Sequence, residues 1–298
     1  MSDRKLLLGP MRLPFLVLPP VCVLLGLSTA VWSQSQIDVF YLLLAFVGAV
    51  ASHISVNTLN EHFDFRSGLD LQTQPTPFSG GSGTLPARPE MARSALITGL
   101  VAATITGAIG LYFLAVRGWG LLPLGLLGLA SILAYTPWIT HQPLLCLIAP
   151  GLGFGTFMVM GTDYVLTGHY SWTAFFASLV PFFLVSNLLL LNQFPDVEAD
   201  RTVGRRHLPI LLGRKASGYI YAAFLLGTYL SIVVGVLLGV LPAASLLGLL
   251  SLVLAVPTAV GVVRHADDIP QLVRYMGQNV LITILTPVLM AIGLFLAG

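Results

Sequence analysis

Nine predominantly apolar stretches follow one another along this chain, at roughly 13–32, 37–59, 94–116, 119–136, 143–166, 171–191, 217–240, 242–263 and 278–297. A helix of about 20 residues crosses a ~30 Å hydrocarbon core, so each stretch predicts a membrane span. Only 9% of the residues are charged and 56% are hydrophobic, about a third of the charge fraction of a soluble domain. The expected fold is all-α: a single polytopic domain over residues 1–298, with nine transmembrane helices.

The few charges test this division independently of hydropathy. With the N-terminus in the cytoplasm, thirteen of the fourteen Lys and Arg residues fall on the inner side: Arg4, Lys5, Arg12, Arg66, Arg88, Arg93, Arg201, Arg205, Arg206, Arg214, Lys215, Arg264 and Arg274. Only Arg117 falls outside. A wrong span count would scramble that partition, so the positive-inside rule supports both the nine helices and their orientation. The net charge of +2 is accordingly a signal of topology. It is no evidence for a nucleic-acid partner. The expected location is the cell (inner) membrane, with the C-terminus outside. The first apolar run lacks a small-x-small cleavage site and reads as an uncleaved helix. Cys22 and Cys146 sit in apolar spans, far apart in sequence, and read as inert thiols.

The outer connections are short, and the inner segments 60–93, 192–216 and 264–277 are long and polar. Those three segments hold nine of the twelve acidic residues, so any chemistry is expected at the cytoplasmic face. Where the second apolar run ends, Asn60 and Asp64 stand one helical turn apart, with Asn57 and Glu61 beside them and Asp70 a few residues on. A second cluster, Asn192, Asp196 and Asp200, repeats the pattern at the end of the sixth run. Two such helix ends facing each other across a central cavity, open to the cytoplasmic side, would collect hard oxygen ligands. Mg²⁺ prefers such ligands and takes one or two protein carboxylates, the rest of its shell coming from water and substrate phosphates. Arg66, Arg201, Arg205 and Arg206 lie next to these groups and suit phosphate oxygens. The combination reads as a Mg²⁺-diphosphate site at the mouth of an apolar cavity, and a diphosphate with a long hydrocarbon tail, a polyprenyl diphosphate, fits it.

Asn57-x-x-Asn60-x-x-x-Asp64 followed by Gly68-x-Asp70, and Asn192-x-x-x-Asp196-x-x-x-Asp200 followed by Gly204-Arg205-Arg206, resemble the two motifs of the UbiA superfamily of intramembrane prenyltransferases. The resemblance extends over essentially the whole chain. The run Pro77 to Gly83, the Ala134-Tyr135-Thr136 end of the fourth run and Gly161-Thr162-x-Tyr164-Val165-x-Thr167-Gly168 look like the branch that prenylates 1,4-dihydroxy-2-naphthoate on the way to menaquinone. What the resemblance implies is a prenyltransferase with Mg²⁺ as cofactor, and a polyprenyl diphosphate, an aromatic acceptor and the lipid bilayer as partners. Asn60, Glu61, Asp64, Asp70, Asn192, Asp196 and Asp200 would hold metal, and Arg66, Arg201, Arg205 and Arg206 would hold diphosphate. Asp64, Asp196 and Tyr135 would carry the reaction. His53 and Asn57, deeper on the same helix face, are candidates to line the cavity, because an ionisable residue inside a membrane helix is a functional candidate by default.

The sequence departs from the family pattern at Glu61, which stands where many relatives have Asp, at His207, where Thr is usual, and at Asp163. Other acceptors remain open within the superfamily: 4-hydroxybenzoate, homogentisate, haem or glycerol phosphate. A rival of another class is a transporter or channel, but apart from Asp163 no acidic group lies well inside a span far from the inner side.

Overall fold

The computed structural model describes residues 9–33, 36–73 and 76–298, which contain helices and turns and no strand. Arg4, Lys5 and part of the expected outer connection at Ser33–Gln36 lie outside the described residues. Helical rods occupy all nine apolar runs: α1 (Leu18–Ser33), α2 (Val39–Arg66), α3 (Ala92–Arg117), α4 (Leu122–Ala134), α5 (Pro143–Gly151), α6 (Trp172–Thr202), α7 (Arg214–Leu237), α8 (Leu252–Arg264) and α9 (Ile269–Ala297). A π-helical stretch, Leu152–Val159, and the helix Met160–Thr167 prolong α5 into one span, and the 3₁₀ turn Ala243–Ser251 precedes α8.

Among the described residues, not all nine expected spans are long enough to cross a membrane alone. Among the described residues, seven helices are long and apolar enough to cross a membrane, or eight if the bent pair Gly9–Phe15 and Leu18–Ser33 is one span. The rod Trp119–Ala134 falls short: at 1.5 Å per residue it covers about 24 Å of a ~30 Å core. Hydropathy registers how apolar a run is, and the turn at Tyr135 that ends this helix is invisible to it.

Two helices run past their apolar stretches. α2 continues to Arg66 and α6 to Thr202, straight through Pro181 and Pro195. The acidic motifs are therefore carried on helix, α6 continuing past Pro195 to Thr202. Asp38 caps the start of α2 by accepting from the amides of Phe40 and Tyr41, and Ser171 caps α6 at the amide of Ala174.

Small residues set the packing around the site. A Cβ on Gly155 would stand 2.5 Å from the Ser178 carbonyl oxygen, and one on Gly151 only 2.1 Å from that of Phe182. The π-helical part of α5 thus lies backbone to backbone on α6, the close approach that small residues permit between membrane helices. At the end away from the motifs, Arg117 donates to the carbonyls of Val165 and Leu166 and lies 4.7 Å from the centre of the Tyr41 ring. It satisfies orphan carbonyls near the end of the fifth span. Asp163 is fully buried nearby, where it accepts from Thr29 at 2.8 Å and Ser171 at 3.0 Å, tying α1, the fifth span and the start of α6 together.

Candidate active site

The last turns of α2 and α6 meet at one end of the bundle around a polar pocket of about 90 Å³. Asn60, Asp64, Asp70, Asn192, Asp196, Asp200 and Arg205 all line it. Arg205 joins the two motifs: its Nη2 donates to Oδ1 of Asp64 and its Nη1 to Oδ1 of Asp200 at 2.8 Å. The other oxygen of Asp200 lies 2.6 Å from Nε2 of the buried His207. Burial works against the charge of Arg205, but Asp64 and Asp200 outweigh it and hold the guanidinium above its ordinary range. His207, the departure from the family pattern, therefore serves as a second partner for Asp200.

A glycine-rich loop closes the pocket from the side. Ser79 donates to Asp196 at 3.5 Å, and the Ser82 hydroxyl donates to Glu61 at 3.0 Å. The Ser82 amide donates to the other oxygen of Glu61, and Nε of Arg12 lies 3.5 Å from that same atom. With both oxygens engaged, Glu61 stands behind the pocket as the anchor of the loop and does not line it. Gly81, at φ 73°, brings its Cα so close to Asp70 that a Cβ would meet the carboxylate at 3.0 Å. Asp70 Oδ2 is buried and makes no hydrogen bond. Burial, with the charges of Asp64 and Glu61, pushes this carboxyl up to about 8.

An apolar cavity of about 490 Å³ continues inward from the pocket. Arg12, Asn60, Tyr135, Leu189 and Asn192 line both spaces and so mark the junction. Asn60 donates to the Thr136 hydroxyl at 3.1 Å, which fixes its orientation beside Tyr135. His53 and Asn57 line the cavity below the junction, and Asn57 donates to the His53 carbonyl. Arg66, Arg201 and Arg206 are exposed and line neither space; Arg201 pairs with Glu198 in solvent at 3.3 Å. The Asp267–Asp268 loop also stays apart, with Asp268 capping α9 at the Gln271 amide.

In the sequence, Arg12 reads as a topology determinant alone. In the fold it sits between two short 3₁₀ turns, Gly9–Met11 and Leu13–Phe15, which bend by 50° from α1. Its φ of 50° makes it the one non-glycine residue with a left-handed backbone among the described residues, a conformation that costs of order 1–3 kcal/mol and persists where surroundings enforce it. The strain turns its guanidinium toward Glu61 and the junction. A basic residue just before a first span was the only local signal, and the positive-inside rule explains it equally well.

The donors fit a hard cation in kind: carboxylates from both motifs, two amide oxygens, and a buried Asp70 oxygen with unused acceptor capacity. Among the described residues, however, no three His, Cys, Asp or Glu side chains converge on one point as a ready-made metal cage. Arg205 occupies the space between Asp64 and Asp200 instead.

A helical membrane bundle whose charged pocket opens into an apolar cavity defines a class of protein that handles a molecule with an anionic head and a hydrocarbon tail. Residues 17–296 match the UbiA prenyltransferase family, and the chain belongs to that family. Among its relatives, 1,4-dihydroxy-2-naphthoate octaprenyltransferase of Bacillus subtilis is 29% identical over 72% of this chain and 68% of its own length. Digeranylgeranylglyceryl phosphate synthase of Pyrococcus horikoshii is 27% identical over 75% of this chain and 78% of its own. The structure of a UbiA homologue from Archaeoglobus fulgidus, bound to DMAPP and Mg²⁺, superimposes with a TM-score of 0.60 at 10% identity, covering 98% of this chain and 99% of that one. The enzyme class, a prenyltransferase, follows from the family.

Proposed function

We propose that this protein transfers a polyprenyl group from its diphosphate to an aromatic acceptor, 1,4-dihydroxy-2-naphthoate, with Mg²⁺ as cofactor. The observation that carries the reading is the continuity of the two spaces: a pocket lined by Asp64, Asp70, Asp196, Asp200 and Arg205 opens past Tyr135 into a cavity large enough for hydrocarbon. The naphthoate enzymes among the relatives favour this acceptor, and the Archaeoglobus homologue bound to DMAPP and Mg²⁺ favours the cofactor.

In this reading Asn60, Asp64 and Asp70 from one side, and Asn192, Asp196 and Asp200 from the other, would hold Mg²⁺. Mg²⁺ supplies charge neutralisation for the departing diphosphate. Arg205 and Arg12 face the same oxygens with guanidinium donors. When the allylic C–O bond breaks, its electron pair leaves with the diphosphate, and the carbocation left in the junction is attacked by the electron-rich ring carbon that bears the carboxylate. The ring carboxylate then leaves as CO₂, returning its bonding pair to the ring. Tyr135 stands beside the reacting carbon, and the apolar walls keep water from quenching the cation. The active site faces the cytoplasm in this orientation, in keeping with the basic residues at that end.

A second reading, transfer to a glyceryl phosphate, has support in the archaeal synthases among the relatives. The two readings separate in one assay. Purified protein with Mg²⁺ and a radiolabelled polyprenyl diphosphate is offered each acceptor, and a prenylated naphthol with released CO₂ is expected. Asp64→Ala and Asp196→Ala should each abolish turnover while the protein still folds; near-normal activity in either variant removes the proposed site.

A further inference from the structure

The junction leaves one polar side chain of the cavity wall unexplained. His53 is 3% exposed and lines the cavity, yet neither imidazole nitrogen has a hydrogen-bond partner. An unpaired buried donor and acceptor carry a desolvation penalty that no hydrocarbon tail can relieve. An aromatic neighbour packs on the ring: Phe154 stands edge to face with the imidazole, ring centres 5.5 Å apart. Phe154 belongs to the π-helical stretch of α5, an irregular form that recurs at functional sites. Seven residues separate His53 from Asn60 on α2, about 10 Å along the axis. That interval sets the imidazole about two helical turns below the junction, on the cavity side of Asn60.

We infer that His53 is an acceptor-binding residue: one imidazole nitrogen accepts a hydrogen bond from a ring hydroxyl of the aromatic acceptor, whose ring takes the place of Phe154 against the imidazole. The inference rests on the aromatic-acceptor reading above. The hydrogen bond fixes which ring carbon faces the junction, and it increases electron density on the ring when the hydroxyl donates. The second nitrogen, as donor, is available to the polar groups of Asn57 and Ser52, which line the same wall.

The test compares wild-type protein with His53→Leu and His53→Gln in Mg²⁺ and polyprenyl diphosphate. Its readouts are KM for each substrate and inhibition by 2-naphthoate, which keeps the ring and carboxylate but has no hydroxyl. In His53→Leu the KM for 1,4-dihydroxy-2-naphthoate should rise about five- to tenfold, with the KM for the prenyl diphosphate and the inhibition constant of 2-naphthoate unchanged. His53→Gln, which keeps a donor and an acceptor, should recover most of the loss. An unchanged acceptor KM, or an equal change for 2-naphthoate, overturns the role of His53 and leaves the acceptor reading standing. If wild-type protein turns over no aromatic acceptor, both fall together.

Discussion

Arg205→Gln removes a side chain that touches both motifs. The side chains of Arg205, Asp64 and Asp200 are 14%, 10% and 3% exposed, so the substitution leaves two carboxylates buried without their cation. Removing one partner of a buried pair costs about 3–5 kcal/mol, and His207 still holds one oxygen of Asp200 at 2.6 Å, which favours the lower end. A divalent ion is the natural replacement. An ion present at about 100 times its dissociation constant contributes about 2.7 kcal/mol, enough to recover most of the loss. In the native protein that ion competes with Arg205 for the same oxygens, so its stabilising effect there is smaller. Thermal unfolding in detergent, with and without Mg²⁺ and without any diphosphate, should show the variant melting well below wild type in chelator and moving up further than wild type on adding Mg²⁺. Turnover should stay low, since a guanidinium facing the diphosphate is gone. Equal Mg²⁺ responses in the two proteins, or near-normal turnover in the variant, would refute the idea that Arg205 stands where a cation belongs.

Three further outcomes follow from the same geometry. Asp70 keeps its proton up to about 8, against 3.8 ordinarily, so between those values the folded chain binds more protons than the unfolded one and metal-free stability should fall as pH rises from about 4 to 8. Saturating Mg²⁺, which takes the deprotonated carboxylate, should flatten that slope, and a flat metal-free profile in thermal melts would contradict the assignment. Ser82→Ala removes one of the two bonds from the glycine-rich loop to Glu61; the KM for prenyl diphosphate should rise several-fold with little change in melting temperature, and limited proteolysis should cut the loop faster. Asp163→Ala removes the shared acceptor of Thr29 and Ser171, which keep the Gly26 carbonyl and the Ala174 amide as partners; at about 0.5–1.5 kcal/mol for each lost bond, it should lower the melting temperature without altering either substrate's KM.

Much of this architecture could be read from residue order because it depends on local pattern. The apolar runs predict helices where α1 to α9 stand, and the recurrence of Asn and Asp one turn apart points to the pocket where Asn60, Asp64, Asn192, Asp196 and Asp200 do gather. What escaped depends on contacts between distant residues. Glu61 looks like a ligand by spacing, but its oxygens are taken by Ser82, 21 residues on. Within the basic cluster Arg201, Arg205 and Arg206, the turn at Gly204, φ 77°, sends Arg205 inward and leaves Arg206 in solvent. Arg12 reaches the junction through a backbone strain that no propensity announces. The fourth rod fails as a full span by length alone, a quantity that hydropathy windows blur.

The proposed reaction would join an allylic diphosphate to an aromatic acceptor within one continuous pocket and cavity. Its most direct measurement is turnover by the purified protein in lipid nanodiscs supplied with polyprenyl diphosphate and carboxyl-labelled 1,4-dihydroxy-2-naphthoate. The expected result is Mg²⁺-dependent release of labelled CO₂ in equal amount to diphosphate and prenylated product. Diphosphate released only with a glyceryl phosphate acceptor, or no release with any acceptor in the presence of Mg²⁺, would contradict it.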